Sequence, residues 1–260
     1  MGISAVVLTK NEERRIRRCL DSLKGWVDEI IIVDDESIDT TVIIAREEYG
    51  ARTIINPLNN AFDRQRNLGM EASCQSWVLQ MDADEVIPSQ TQMEICQALR
   101  QSEGFDGFEI MRQDCVGGVP LKHVGNCYQL KLLRKGSGSF EGNIHENFKI
   151  KGSVGHIRGT VLHYAIDSVA GMIYRHNYYS DLESQKYLRE NPDINVKQVK
   201  NQLIFKPCKT FVKHYFKHGG FKDGVPGLIW CMIHTLHPMM FWLKILEAVQ
   251  KNTVKLKESL

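Results

Sequence analysis

Predominantly apolar runs alternate with segments of helical period from residue 3 to residue 81, and no other feature restricts the fold as much. Ile3 to Leu8 is rich in branched side chains, the pattern of a strand buried on both faces of a parallel sheet. Thr9-Lys10-Asn11-Glu12 reads as a strand-to-helix turn. Ile16, Cys19, Leu20 and Leu23 then recur at helical spacing up to Gly25, where a left-handed cap is wanted. Ile30 to Val33 is a second strand ending in Asp34-Asp35-Glu36-Ser37, and Asp39-Thr40-Thr41 caps a helix carrying Val42, Ile43, Ile44 and Ala45. Ala51 to Ile55 is a third strand, Phe62 to Ala72 a third helix and Trp77 to Met81 a fourth strand. This alternation predicts an α/β fold, a doubly wound and mostly parallel sheet.

Ligands of such sheets lie beyond the carboxyl ends of the strands. Thr9, Asp34 with Asp35, and Asp82 with Asp84 all fall at that edge, so residues far apart in sequence should line one crevice. Asp82 and Asp84 flank a single residue after an apolar run, and two acids so spaced at a strand end point the same way. That pair suits a hard divalent cation bridging to phosphate oxygens, although a solvated turn after a strand has the same letters. Glu85 reads as an exposed neighbour or as a group supporting the metal-binding acids from behind. Arg64 and Arg66, near the start of the third helix, are within reach of phosphate or sugar unless they belong to a solvated face.

Four stretches together carry a resemblance: VVLTKNEE, IIVDDESIDTT, RQRNLGMEAS and WVLQMDADE. In this order they resemble the inverting nucleotide-sugar glycosyltransferases of family 2, and weaker likeness through GNIHENF, VLHY and GGFKDGVPG is similar to the bacterial lipopolysaccharide core glucosyltransferase branch. The resemblance implies a GT-A type fold with a Rossmann-like nucleotide-binding half. It implies that Thr9, Asn11, and Asp34 or Asp35 contact the nucleotide of a UDP-sugar. Asp34, Asp35 and Ser37 could equally make an Asx-type turn. Asp82 and Asp84 would hold Mn2+ or Mg2+ against the diphosphate, with Asp84 the more direct ligand and Asp82 nearer the ribose or sugar.

Inversion needs a base opposite the leaving group, and Glu146 matches the family carboxylate best, although the commoner family pattern is a Glu-Asp pair. A structural salt bridge or a surface acid would also explain it. His145-Glu146 opens like a zinc-protease helix, but Lys149 stands where the second histidine would be. His163, after an apolar strand-like run, is a further metal or diphosphate contact, or a packed core histidine. Two rivals stay open: a sugar-phosphate nucleotidyltransferase of similar fold, and an inactive sugar-nucleotide-binding protein. The acidic, glycine-free turn Lys10 to Glu13 disfavours the former, and intact Asp82 and Asp84 the latter.

Past residue 104 the alternation fails. Phe108 to Met111 and Tyr128 to Leu133 look like strands, with Gly117, Gly118 and Pro120 in a loop between them. Residues 1–104 are therefore expected to bind the donor, 105–166 to form the acceptor-side subdomain, and 167–260 to form a helical extension. In that extension Lys206, Lys209, Lys213, Lys217 and Lys222 interleave with Phe205, Phe211, Tyr215, Phe216 and Phe221, ahead of an uncharged stretch from Gly227 to Leu243. The stretch is shorter than the ~20 residues of a spanning helix and is interrupted by His234, His237 and Pro238. It fits docking onto an anionic membrane surface, or packing against the catalytic domain or a second copy of the chain. A formal net charge of +2 and no matching motif disfavour nucleic acid. Seven scattered cysteines without C-x-x-C spacing read as free thiols. The first apolar run precedes its positive charges, the reverse of a signal peptide. The expected location is cytoplasmic, peripheral on the inner membrane, where a lipid-linked or lipopolysaccharide core saccharide would be the acceptor. A processive synthase is disfavoured by the lack of a Gln-x-x-Arg-Trp motif.

Overall fold

The computed structural model describes residues 2–58, 61–142, 147–166 and 168–258. In chain order the first elements are β1 (Ile3–Thr9), α1 (Ile16–Asp21), β2 (Glu29–Asp34), α2 (Thr41–Tyr49), β3 (Arg52–Ile55), α3 (Phe62–Ala72), β4 (Trp77–Asp82), β5 (Glu85–Val86) and α4 (Ser89–Arg100). Six strands follow: β6 (Gly107–Val116), β7 (Val119–Pro120), β8 (Asn126–Arg134), β9 (Gly138–Glu141), β10 (Asn147–Ile150) and β11 (Val154–Ile166). The helices α5 (Val169–Glu190), α6 (Val196–Val212) and α7 (Gly224–Glu258) complete the chain, with a π turn (Lys213–Lys217) and a 3-10 turn (Gly220–Asp223) between the last two.

Two compact units emerge, each built from two stretches of chain. The first comprises Met1–Gln113 with Cys127–His163, and the second Asp114–Asn126 with Tyr164–Leu260. The main sheet runs β3-β2-β1-β4-β8-β6-β11-β5. β1 is parallel to both β2 and β4, β2 is parallel to β3, and β8 joins β4 antiparallel.

Alternation along the strands divides the first unit's core between two faces. Ala5, Val7, Ile32, Trp77 and Leu79 pack with Ile16 and Leu20 of α1, Ile44 of α2 and Ile95 of α4. On the other face Val6, Ile31, Val33 and Val78 pack with Met70 of α3. Helices on both faces are what double winding requires. α3 approaches so closely that a Cβ at Gly69 would lie 2.3 Å from Val6 Cγ1. The β9-β10 hairpin adds Phe140 and Phe148 to that face, and Asn67 of α3 exchanges two hydrogen bonds with the Phe140 backbone, at 2.8 and 2.9 Å. Caps follow their local chemistry. Gly50 closes α2 in the left-handed region (φ 63°), and the Asp39 carboxylate accepts from Thr41 N at its start.

In the second unit α7 packs against α5 and α6. Val116, Leu121 and Val124 pack with Trp230, Cys231 and Ile233. Trp230 Nε1 donates to the buried Asp114 Oδ2 at 2.8 Å. Asp223 accepts from the backbone N–H groups of Lys122, His123 and Val124. α7 continues through Pro238 to Glu258. The ring removes one backbone donor, and side chains beyond it, Trp242 and Ile245, are buried against Val199 of α6, which holds the helix together. Among the described residues no helix is long and apolar enough to cross a membrane.

One surface of this unit is apolar and basic together. Phe205, Val212 and Phe216 are exposed along α6 and the π turn, with Phe221, Val225 and Met232 exposed on the following elements. Tyr215 joins the two sets, its ring 6.3 Å from that of Phe221 and beside that of Phe216. Lys206, Lys209, Lys213 and Lys217 recur at spacings of three and four, on one side of the apolar row. The seven cysteines are free.

Candidate active site

Strand register assembles the predicted crevice. Thr9 lies opposite Asp34 across β1-β2, and Leu8 opposite Asp82 across β1-β4, so the ends of three parallel strands bring these groups to one edge. Asp34 is fully buried. Its carboxylate accepts from Thr9 Oγ1 (2.6 Å), Ser37 N (2.7 Å) and Ser37 Oγ (2.6 Å). Ser37 Oγ accepts in turn from Asn11 N, and Asn11 Oδ1 from Ile38 N, with Asn11 at φ 55°. Thr9, Asn11 and Asp34 thus knit the two turns together. Asp35 faces a more open environment, accepting from Leu58 N at 2.7 Å and lying 3.1 Å from Lys10 Nζ.

Arg64 and Arg66 part company because two residues along a helix turn a side chain about 200°. Arg64 is exposed. Arg66 Nη2 bonds Asp82 Oδ1 at 2.9 Å while its guanidinium lies 5.7 Å from the Phe140 ring centre. Burial alone would raise the Asp82 carboxyl, but the Arg66 and Lys131 cations outweigh it and hold the group well below the usual carboxylate range.

Asp84 has other partners. Its Oδ1 lies 3.5 Å from His163 Nε2 and its Oδ2 lies 3.6 Å from Arg15 Nη1. β11 brings His163 there by pairing it with Glu85 of β5. A carboxylate oxygen and an imidazole nitrogen could supply two ligands to a divalent transition-metal ion such as Mn2+, whose other positions would have to come from elsewhere. Among the described residues no group of three or more His, Cys, Asp or Glu could hold a metal by itself. Asp82 is engaged by Arg66. Glu146 lies outside the described residues.

Glu85, expected at the surface, is fully buried. Both its oxygens accept from Lys131 Nζ, at 2.7 and 2.6 Å, and Oε2 also accepts from Asp82 N at 2.9 Å. Glu85 looked solvated because its partner lies 46 residues away. Lys131 escaped notice altogether, although a lone lysine amid Leu130, Leu132 and Leu133 on a strand is a signal.

The acidic strand end and the Asp-Thr hub lie at the carboxyl edge of a 3-2-1-4 sheet, where ligands of such folds bind, and the chain belongs to glycosyl transferase family 2, whose model matches residues 4–160. The fold is of the GT-A type. Over 256 residues, 95% of this chain and 93% of the other, it is 26% identical to the lipopolysaccharide core biosynthesis glycosyltransferase LpsC of Rhizobium meliloti. Of solved structures, Staphylococcus aureus TarS 1-349 aligns with a TM-score of 0.49 at 15% identity, covering 97% of this chain and 92% of that one. Glucosyl-3-phosphoglycerate synthase of Mycobacterium tuberculosis, crystallised with Mn2+, UDP and glucosyl-3-phosphoglycerate, aligns with a TM-score of 0.38 at 25% identity, covering 43% of this chain and 44% of that one. The assignment rests on the family match and the strand order, not on these superpositions.

Proposed function

We propose that the protein moves a hexose, glucose from UDP-glucose, with inversion onto a hydroxyl of a lipopolysaccharide core or other lipid-linked saccharide. One observation carries the donor side of this reading: Asp84 and His163 meet at the carboxyl edge of β4, beside the Arg66–Asp82 pair. In that reading Asp84 and His163 hold Mn2+ or Mg2+, which when bound neutralises the departing diphosphate. Asp82, kept ionised by Arg66, accepts from ribose or sugar hydroxyls. Asp35, not the saturated Asp34, accepts from the uracil imide or a ribose hydroxyl, while Asp34 with Thr9 and Asn11 shapes the base pocket. Arg64, exposed on α3, takes no part in the chemistry. Glu146 deprotonates the acceptor hydroxyl for direct displacement at the anomeric carbon.

The acceptor side is supported by the likeness to LpsC and by the exposed apolar and basic surface of the second unit. From residue 194 to 222 the chain has lysines but no aspartate or glutamate, and Asp223 is occupied by backbone N–H groups. Such a surface suits the anionic lipids of the cytoplasmic face of a membrane, with aromatic rings at headgroup level.

The test is incubation with UDP-glucose, Mn2+ and a purified core saccharide, reading UDP release and the anomeric configuration of the product by NMR. UDP release with an inverted linkage supports the reading. Pyrophosphate chemistry would revive the nucleotidyltransferase, a retained configuration would refute the inversion, and Asp84→Ala with unchanged saturating turnover would remove the metal role.

A further inference from the structure

The Glu85–Lys131 pair is assigned no part in the reaction by the preceding reading, yet its placement is costly. Lys131 is 4% exposed and Glu85 not at all. Taking two such ions out of water is unfavourable even after relaxation, and apolar residues of similar volume are often as stable or more so. Stability alone therefore does not account for a charged pair at this point.

Its connections do. Glu85 Oε2 reaches back to Asp82 N, so the side chain closes the Ala83–Asp84 turn from beneath. The same residue's backbone lies opposite His163 in the β5-β11 ladder. Lys131 Nζ clamps both Glu85 oxygens from β8, the antiparallel neighbour of β4. Glu85 thus ties, through its side chain, the strand end that carries Asp82 and the turn that carries Asp84 to β8, and through its backbone the strand that carries His163. A carboxylate is needed because it must accept from an ammonium and a backbone N–H together, and a neutral side chain would leave one of those donors poorly met.

We propose that Glu85 and Lys131 are positioning residues that fix the Asp82–Asp84 turn against His163 in the geometry that receives a metal-bound nucleoside diphosphate. The inference rests on the donor site proposed above. It assigns the pair no contact with substrate.

The experiment compares UDP binding with and without Mn2+, by titration calorimetry, and thermal melting, in the wild type, in the apolar replacement Glu85→Leu/Lys131→Met and in the isosteric Glu85→Gln. The double variant is expected to melt near the wild type while its affinity for UDP with Mn2+ falls at least tenfold, and its affinity for UDP alone changes less than threefold. Glu85→Gln is expected to lose more than threefold in the presence of Mn2+. A folded double variant that binds UDP with Mn2+ within threefold of wild type overturns the proposal. Should the double variant not fold, Glu85→Gln decides alone by the same threefold criterion. Wild-type protein that binds no UDP in Mn2+ would refute the donor site itself, and the pair's role with it. Tight wild-type binding left intact in the variants refutes only the pair.

Discussion

Removing the Asp34 carboxylate should unfold the protein early, whereas removing its neighbour should not. Asp34 is fully buried and is the common acceptor for Thr9 Oγ1, Ser37 N and Ser37 Oγ. A hydrogen bond to a charged group contributes about 1.5–3 kcal/mol, and each donor left unmet costs about 1–3 kcal/mol. Three such losses are not additive, since the hydroxyls can turn to other acceptors and a water can enter. For Asp34→Ala we expect about 4 kcal/mol, which at roughly 2–4 °C per kcal/mol for a chain of this size lowers Tm by about 8–16 °C. Asp34→Asn keeps an acceptor for Ser37 N, and its NH2 group can donate to the two hydroxyls once they rotate, so about 1–2 kcal/mol is lost. Asp35→Ala forfeits contacts to Leu58 N and Lys10 at a partly open position and should cost about 1 kcal/mol or less, while weakening UDP about tenfold. Circular-dichroism melting and UDP titration on the same samples read both quantities. An Asp34→Ala protein melting within 2 °C of wild type, against the ~8 °C minimum expected, would refute this account of the hub.

Three further outcomes are expected. Arg66→Ala frees Asp82 and should lower turnover roughly 10- to 100-fold, whereas Arg64→Ala, altering an exposed side chain, should stay within about twofold, both read as UDP release. Burial, reinforced by His237, His234 and Arg175 and opposed by Glu183, pushes the His176 imidazole down to about 4 from its ordinary 6.5. The unfolded chain takes up that proton first, so stability is full above pH 6.5 and declines as pH falls toward 4, and urea midpoints at several pH values should decline less in His176→Gln. Lys209→Ala/Lys213→Ala should weaken partition onto phosphatidylserine vesicles roughly thirtyfold, at about 1 kcal/mol per lysine, while leaving neutral vesicles unaffected. Equal loss on both vesicle types would refute the electrostatic share of docking.

The first 104 residues were legible because β1, β2 and β4 are largely buried on both faces and the helices show their period. The expected helix Phe62 to Ala72 coincides with α3, and the fourth strand runs one residue beyond its expected end. Choosing between Asp34 and Asp35 was beyond the sequence, because the two differ only in direction at a strand end. Register places Asp34 opposite Thr9, where its carboxylate is taken up by the Thr9 and Ser37 donors, and leaves Asp35 in the more open position. Glu85 was misread for a related reason: Asp-Ala-Asp-Glu has the composition of a wet turn, and only the β4-β8 pairing brings a lysine beneath it.

The Trp230–Asp114 bond has a practical bearing on how this gene can be cut. The family match ends at residue 160, which invites expression of a minimal catalytic fragment stopping there. Such a fragment would retain Asp114, Leu121 and Val124 but lose Trp230, Cys231 and Ile233, leaving a carboxylate without its indole donor and a small oily patch bare to water. Homology borders and folding borders diverge in this protein, and a shortened version should be expected to precipitate unless residues 114–126 are redesigned along with the cut.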